Sequence, residues 1–258
     1  MLQKLFPNWK NLTIVRYSLP LVALEDFFLK PFILRYQKSA PSHIILVLSS
    51  IENLKPLYFL KAFCTRPFRR NRLKAFLYTY KNISEKEIPL LKPLFVFYES
   101  QIIAYLKKRI FYGGILFPYI EKGFLSKELL FQENFINLLV KLVKFIFEIH
   151  EKGILLGDTK YNNFYYDEKE GFKLFDLDGI KFLERKPSKE ERLKDLSSLT
   201  MTLEWDGLKK ARDLIFDTYA TLMKNISPHD KDFYLYCIEK KRQKRLKKLK
   251  NTYFVNTK

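Results

Sequence analysis

The stretch "HEKGILLGDTKYNNFYYDEKEGFKLFDLDG", His150 to Gly179, decides how the chain is read. Within it Asp158, Lys160 and Asn163 form D-x-K-x-x-N, a loop short enough to aim all three side chains into one cleft. Downstream, "NFYYD" and "FKLFD" alternate apolar and polar residues around a Glu168-Lys169-Glu170-Gly171 turn, the pattern of a β-hairpin. Such a hairpin returns Asp176 to the cleft. Upstream, Asn137, Lys141, Lys144 and Glu148 interrupt an otherwise apolar run from Phe135 to Ile149. Their helical spacing predicts a helix buried on most of its circumference, with one wet stripe. A helix stop is expected at His150 and Gly153, which makes His150 a packed helix-end residue and not a catalyst.

Asp and Asn also favour turns on their own account, but the joint spacing points to a specific chemistry. Phosphoryl transfer from Mg·ATP needs an acid that accepts a hydroxyl proton, a cation near the moving phosphoryl group, and oxygen ligands that hold Mg²⁺ against the phosphates. Asp158, Lys160 and the pair Asn163 with Asp176 fit these three tasks in that order.

The segment resembles the protein-kinase-like phosphotransferases, and most closely the bacterial lipopolysaccharide kinases that phosphorylate Kdo or heptose of the inner core. The resemblance extends through "FDLDGIKF" to "SKEERLKDLSSL", where Asp176-Leu177-Asp178-Gly179 is followed by Arg192 and Asp195-Leu196. Those relatives carry a similar D-L-D or D-F-D element and a downstream R-x-x-D-L. The specific likeness covers about residues 145 to 200. It implies an α+β, two-lobed kinase-like fold: a small β-rich N-lobe over 1–117, a hinge over 118–123, a mainly helical, shortened C-lobe over 124–238 and a basic tail over 239–258. It also implies ATP and Mg²⁺ as cofactors. Asp158 becomes the catalytic base, Lys160 a contact to the transferring phosphate, and Asn163 and Asp176 the metal ligands. Asp178 either adds a metal ligand or bonds the loop. Asp195 matches an aspartate that fixes the catalytic loop through backbone N–H groups.

The amino-terminal half should then bind the nucleotide. In "LYFLKAF", Leu57 to Phe63, Lys61 would pair the α- and β-phosphates from a strand. The preceding "HIILVL" leads through Ser49-Ser50-Ile51-Glu52-Asn53 back to this strand, a hairpin placed where a phosphate-covering loop belongs. That turn contains no glycine, so close backbone approach to phosphate falls to Ser49 and Ser50. Pro118 to Lys122 would be the connection along which adenine binds, with Tyr119 and Glu121 as contacts. The first long helix is expected from Arg69 to Asn82 and holds no Asp or Glu; Glu85 and Glu87 lie just beyond it. Leu156 stands where many kinases have a histidine.

The chain has 258 residues, 47% of them hydrophobic, enough for a substantial core and for a two-lobed body. Two distant cysteines, Cys64 and Cys237, exclude a disulfide framework and a Cys-x-x-Cys zinc site, and suggest a reducing cytoplasm. The apolar stretch around Leu19 to Leu29 is broken by Pro20, Glu25 and Asp26, unlike a signal peptide. The formal charge of +19 demands an anionic partner. Eight of the eleven residues from Lys240 to Lys250 are basic, with Tyr253 and Phe254 following, and Arg66, Arg69, Arg70, Arg72 and Lys74 form a second cluster. Basic segments with aromatics suit an anionic lipid surface or nucleic acid alike. The resemblance favours the first: a lipid-linked sugar acceptor, a lipopolysaccharide precursor, at the inner face of the inner membrane, reached through the tail, with no nucleic acid. The expected activity is ATP-dependent phosphorylation of a Kdo or heptose hydroxyl. The alternatives are a protein or small-molecule kinase of the same superfamily, or a nucleotide-binding pseudokinase scaffold.

Overall fold

Runs of β-branched and aromatic residues dominate the first half of the chain, and they form one antiparallel sheet. The computed structural model describes residues 2–16, 27–120, 125, 132 and 134–255, without the side chains of 16, 36–39 and 250–255. The protein is α+β. It divides into two compact units, the first formed by Met1–Lys81 and Leu91–Lys122, the second by Asn82–Leu90 and Gly123–Lys258.

In the first unit β1 (Thr13–Arg16), β2 (Ile33–Ala40), β3 (His43–Ser49), β4 (Pro56–Cys64), β5 (Phe95–Tyr98) and β6 (Phe111–Pro118) make a sheet of order β1-β5-β6-β4-β3-β2. Opposed residues share a face. Leu46, Leu60 and Leu116 therefore line up across the centre, as do Ile45, Lys61 and Ile115 on the other side. The first face carries the main core, with Leu48, Ala62, Phe95 and Phe97, and it is closed by Leu2, Phe6, Phe27, Phe28 and Phe32. Phe28 meets Phe97 edge-on at 5.2 Å, and Phe27 meets Phe95 at 5.2 Å, the arrangement that aromatic quadrupoles favour. On the opposite face Phe59 stacks on Phe117 at 4.8 Å.

Helix α2 (Arg72–Glu85) follows β4, while α1 (Leu2–Leu5) and α3 (Gln101–Leu106) are short. The start of α2 sits hard against β6. A Cβ on Gly113 would lie 2.3 Å from the Phe97 carbonyl oxygen and 2.7 Å from Leu73 Cδ1, so only glycine admits the helix here. The Tyr112 hydroxyl accepts from the Arg72 and Leu73 N–H groups at 3.1 and 3.4 Å, and Asn71 accepts from Lys74 N–H. These bonds cap the first turn. The helix therefore begins three residues later than its sequence suggests and ends at Glu85, so an acid does stand in its last turn.

The second unit is mainly helical: α4 (Phe135–Glu151), α5 (Lys189–Trp205), α6 (Ala211–Met223) and α7 (Pro228–Val255), with small ladders β7 (Ile154–Leu155) to β10 (Lys181–Phe182) and β8 (Phe164–Asp167) to β9 (Gly171–Leu174). α4 buries Leu139, Leu142, Val143, Ile146 and Ile149 and exposes Asn137, Lys141, Lys144 and Glu148, the stripe its sequence predicts. The segment from Asn82 to Leu90 joins this unit through reciprocal bonds between Lys86 and Lys152 and through Leu174 N–H donating to Pro89 O at 2.9 Å. Among the described residues no helix is long and apolar enough to cross a membrane.

The basic tail expected over 239–258 begins inside α7, which runs unbroken from Pro228 and packs on α5. Lys241 Nζ donates to Ser198 Oγ, Arg242 pairs with the buried Glu204 at 2.6 Å, and Arg245 lies 4.3 Å over the Trp205 ring. Tyr234 is fully buried and bonds Thr200. From Leu246 to Leu249 every residue of the helix is exposed. Deleting 240–258 should therefore lower the thermal midpoint by at least about 5 °C, the loss of an internal salt bridge and its packing. Deleting 247–258 should leave it nearly unchanged. Scanning calorimetry of the two truncations checks this.

Candidate active site

The loop between β7 and β8 carries Asp158, Lys160 and Asn163, and one buried carboxylate shapes it. Asp195, on α5, accepts from Leu156 N–H at 2.7 Å, Gly157 N–H at 2.8 Å and Thr159 Oγ1 at 2.7 Å, and pairs with His150 Nε2 at 3.1 Å. Asp195 owes its position to a well-started helix: Ser188 caps α5, with Glu191 completing a capping box. Arg185 grips Glu191 with both guanidinium nitrogens and brings its carboxyl down to about 2. Burial on its own would raise the Asp195 carboxyl. The bonds from His150, Thr159 and Leu156 outweigh burial and hold it below its ordinary value.

His150 is fully buried, with Nδ1 on the Tyr219 hydroxyl, so it joins α4, α5 and α6 from within the packing. Arg192, also buried, donates to Pro187 O at 2.8 Å and to Glu151 at 2.6 Å. The arginine and aspartate of the R-x-x-D-L element are thus both structural.

Above this base the loop turns its polar groups outward. Asp158 is exposed and pairs with Lys160 Nζ at 2.7 Å. Asn163 Nδ2 donates to Asp158 O at 2.8 Å, which occupies the amide nitrogen and not Oδ1. β8 pairs with β9 so that Phe164 faces Leu174, and Phe175 N–H donates to Asn163 O at 3.1 Å. The expected hairpin is present, with Asp167 capping its turn through Lys169 and Glu170 N–H at 2.9 Å. Its register sets Asn163 and Asp176 at the same end. Asp176 Oδ1 accepts from Asp178 N–H at 3.3 Å, so the Asp-Leu-Asp-Gly turn is partly closed on itself.

The two acidic loops touch through glycines. Gly157 has φ +73 and Gly179 φ +93, and a Cβ on Gly157 would lie 2.5 Å from Gly179 O. Asp158 and Asp176 are thereby carried on backbone segments in direct contact. Among the described residues no group of three His, Cys, Asp or Glu could hold a metal. The oxygen set Asn163, Asp176 and Asp178 instead suits a hard cation that takes its remaining ligands from phosphate and water.

Sequence reasoning missed Lys241. It reaches in from α7, and burial pushes its ammonium below the ordinary lysine range against the pull of the Asp195, Cys237 and Asp158 charges. Its distance in sequence and its place in a basic run concealed this.

In the first unit, Lys61 is buried on β4, 5.7 Å from the Phe63 ring. The serine expectation divides. Ser49 is fully buried at the end of β3 with its hydroxyl unpartnered. Ser50 N–H donates to Lys55 O at 2.9 Å, and its hydroxyl accepts from Glu52 N–H. The Ser50 amide is thus used inside the turn and the Ser49 hydroxyl is covered by burial, so neither is presented to solvent; Leu54 sits in the same turn at φ 58. Tyr119 N–H likewise donates to Leu57 O at 2.9 Å and extends the sheet. Glu121 lies outside the described residues. No family model matches the chain, and no curated protein compared with it matches.

Asp195→Asn should destabilise the second unit by about 2–4 kcal/mol, since it removes a buried anion from four donors. The carboxylate's lowered value fixes the sign with pH. Its contribution is full above about pH 4 and is lost as pH falls through the folded-state value. Denaturant unfolding at neutral and acid pH should show the variant's deficit shrinking on acidification. Gly157→Ala, forced against Gly179 O, should cost about 1–3 kcal/mol by the same measurement.

Proposed function

We propose that this chain is an Mg·ATP-dependent phosphotransferase of the protein-kinase-like superfamily that acts on a Kdo or heptose hydroxyl of a lipopolysaccharide precursor. The supporting observation is the set Asp158, Lys160, Asn163 and Asp176 carried by two touching loops, the first of them bonded from beneath by Asp195. An antiparallel sheet unit and a mainly helical unit are what a two-lobed kinase-like fold would require.

Asp158 is the general base: its side chain is exposed and its carboxyl meets Lys160 Nζ. Lys160, 2.7 Å away, orients that carboxylate and brings a positive charge to the loop. Asn163 and Asp176, with Asp178, are the oxygen donors for Mg²⁺. Bound there with ATP, the ion would neutralise the phosphate charge that builds up during transfer. Lys61 is assigned the phosphate contact of the first unit. The acceptor assignment rests on the resemblance of residues 145 to 200, and the anionic acceptor agrees with a chain of charge +19. The distal turns of α7, where Lys244, Lys247 and Lys248 are exposed, would add attraction to an anionic membrane and keep the protein peripheral at the inner face of the inner membrane.

Mg²⁺-dependent consumption of ATP is the first measurement. Asp176→Asn should weaken Mg·ATP binding and abolish transfer, whereas Asp158→Asn should abolish transfer with nucleotide affinity nearly unchanged. Turnover within a few-fold of wild type in either variant removes the mechanism. Lys61→Ala should raise the ATP requirement or reduce turnover by at least about tenfold, 1.4 kcal/mol, and an unchanged ATP dependence would reassign the phosphate contact.

A further inference from the structure

The first unit carries a cationic cavity with no part in this chemistry. It has a volume of about 490 Å³, and Arg66, Arg69, Arg70, Arg72, Gln101 and Tyr112 are among its lining residues, with no acid. Arg72 is fixed in place, donating to Ser42 Oγ and lying 5.7 Å from the Phe63 ring. Arg66, Arg69 and Arg70 are exposed and have no ion pair among the described residues. Gln101 is buried with its Oε1 unpartnered, a built acceptor in an otherwise donor-rich cavity.

An apolar rim surrounds these cations. Phe68 is 92% exposed, Leu106 73%, Ile110 71%, Ile102 61% and Tyr105 54%, fractions that belong to no soluble core. They are contiguous. Phe68 and Tyr105 rings lie 6.4 Å apart, Thr65 N–H donates to Ile110 O at 2.8 Å, and Ile102, Tyr105 and Leu106 share one face of α3. Lys107 and Lys108 follow, both exposed. Single exposed apolar residues need no explanation, but a cluster of five beside the exposed Arg66, Arg69 and Arg70 does.

The combination selects among partners. A soluble polyanion would use the arginines and leave the rim idle. A second copy of this face would set arginine against arginine. An interfacial lipid layer satisfies both halves: phosphate oxygens take bidentate guanidinium bonds, and the aromatic and aliphatic tips enter the boundary between headgroups and acyl chains. We propose that this face docks the protein on an anionic phospholipid surface, with a headgroup phosphate in the arginine cavity and a headgroup hydroxyl on Gln101. This deepens the membrane part of the proposed function and is independent of phosphoryl transfer.

Co-sedimentation of the full chain with vesicles of phosphatidylcholine alone or mixed with phosphatidylglycerol tests it. Binding should require phosphatidylglycerol and weaken with salt. The double variant Phe68→Ser, Leu106→Ser should bind at least about tenfold more weakly with its salt dependence kept. Arg66→Ser, Arg69→Ser should bind more weakly with a flatter salt dependence. All four side chains are exposed, and an unchanged thermal midpoint verifies the fold. Asp176→Asn should bind vesicles like wild type, which separates this test from that of the transfer reaction. The proposal is overturned if neither double variant loses binding, if only deletion of 247–258 abolishes it, or if calorimetry shows pyrophosphate bound while the vesicles are not.

Discussion

One buried carboxylate organises the second unit. Asp195 brings together the end of α4, through His150, and the turn that carries Asp158, through two backbone amides and a hydroxyl. A buried charge is tolerated only when its hydrogen-bonding capacity is met, and here every donor comes from a segment that must hold a fixed position. Each such bond to an ionised group contributes roughly 1.5–3 kcal/mol. The geometry of the polar residues above therefore follows from the satisfaction of one group below, and no residue of the exposed layer need be rigid by itself.

The charge of the chain is less of a surface property than its count suggests. Arg192 is spent on Glu151 and on Pro187 O, Arg212 and Arg242 converge on the buried Glu204, and Lys241 is drawn into the helical packing. Cations of this kind stabilise the helices from inside. Exposed cations are dense in two segments, Arg66 to Arg70 and Lys244 to Lys248 of α7.

Local pattern carried the reading wherever the structure is local. The wet stripe of α4, the β8–β9 hairpin and the β3–β4 hairpin all follow from alternation and spacing within a few residues. What was illegible depends on distant partners. α2 starts late because Tyr112, 40 residues on, takes its first amide. Ser49 looked like a loop residue, but the β3–β4 register draws it under the sheet edge. The run from Lys240 read as a basic tail because nothing in its composition discloses Ser198, Glu204 and Trp205 on α5. Asn163 and Asp176 could be related from sequence because they flank the two strands of one hairpin.

The unbroken course of α7 has a mechanical consequence. At 1.5 Å per residue its 28 residues form a rod of roughly 42 Å, pinned near the middle by Lys241, Arg242 and Arg245. A force applied to the far end is not dissipated in a hinge, because the span contains no proline or glycine beyond Pro228. It acts as torque on α5, the helix that carries Asp195. The basic end is a lever arm, and its fulcrum is the floor beneath Asp158.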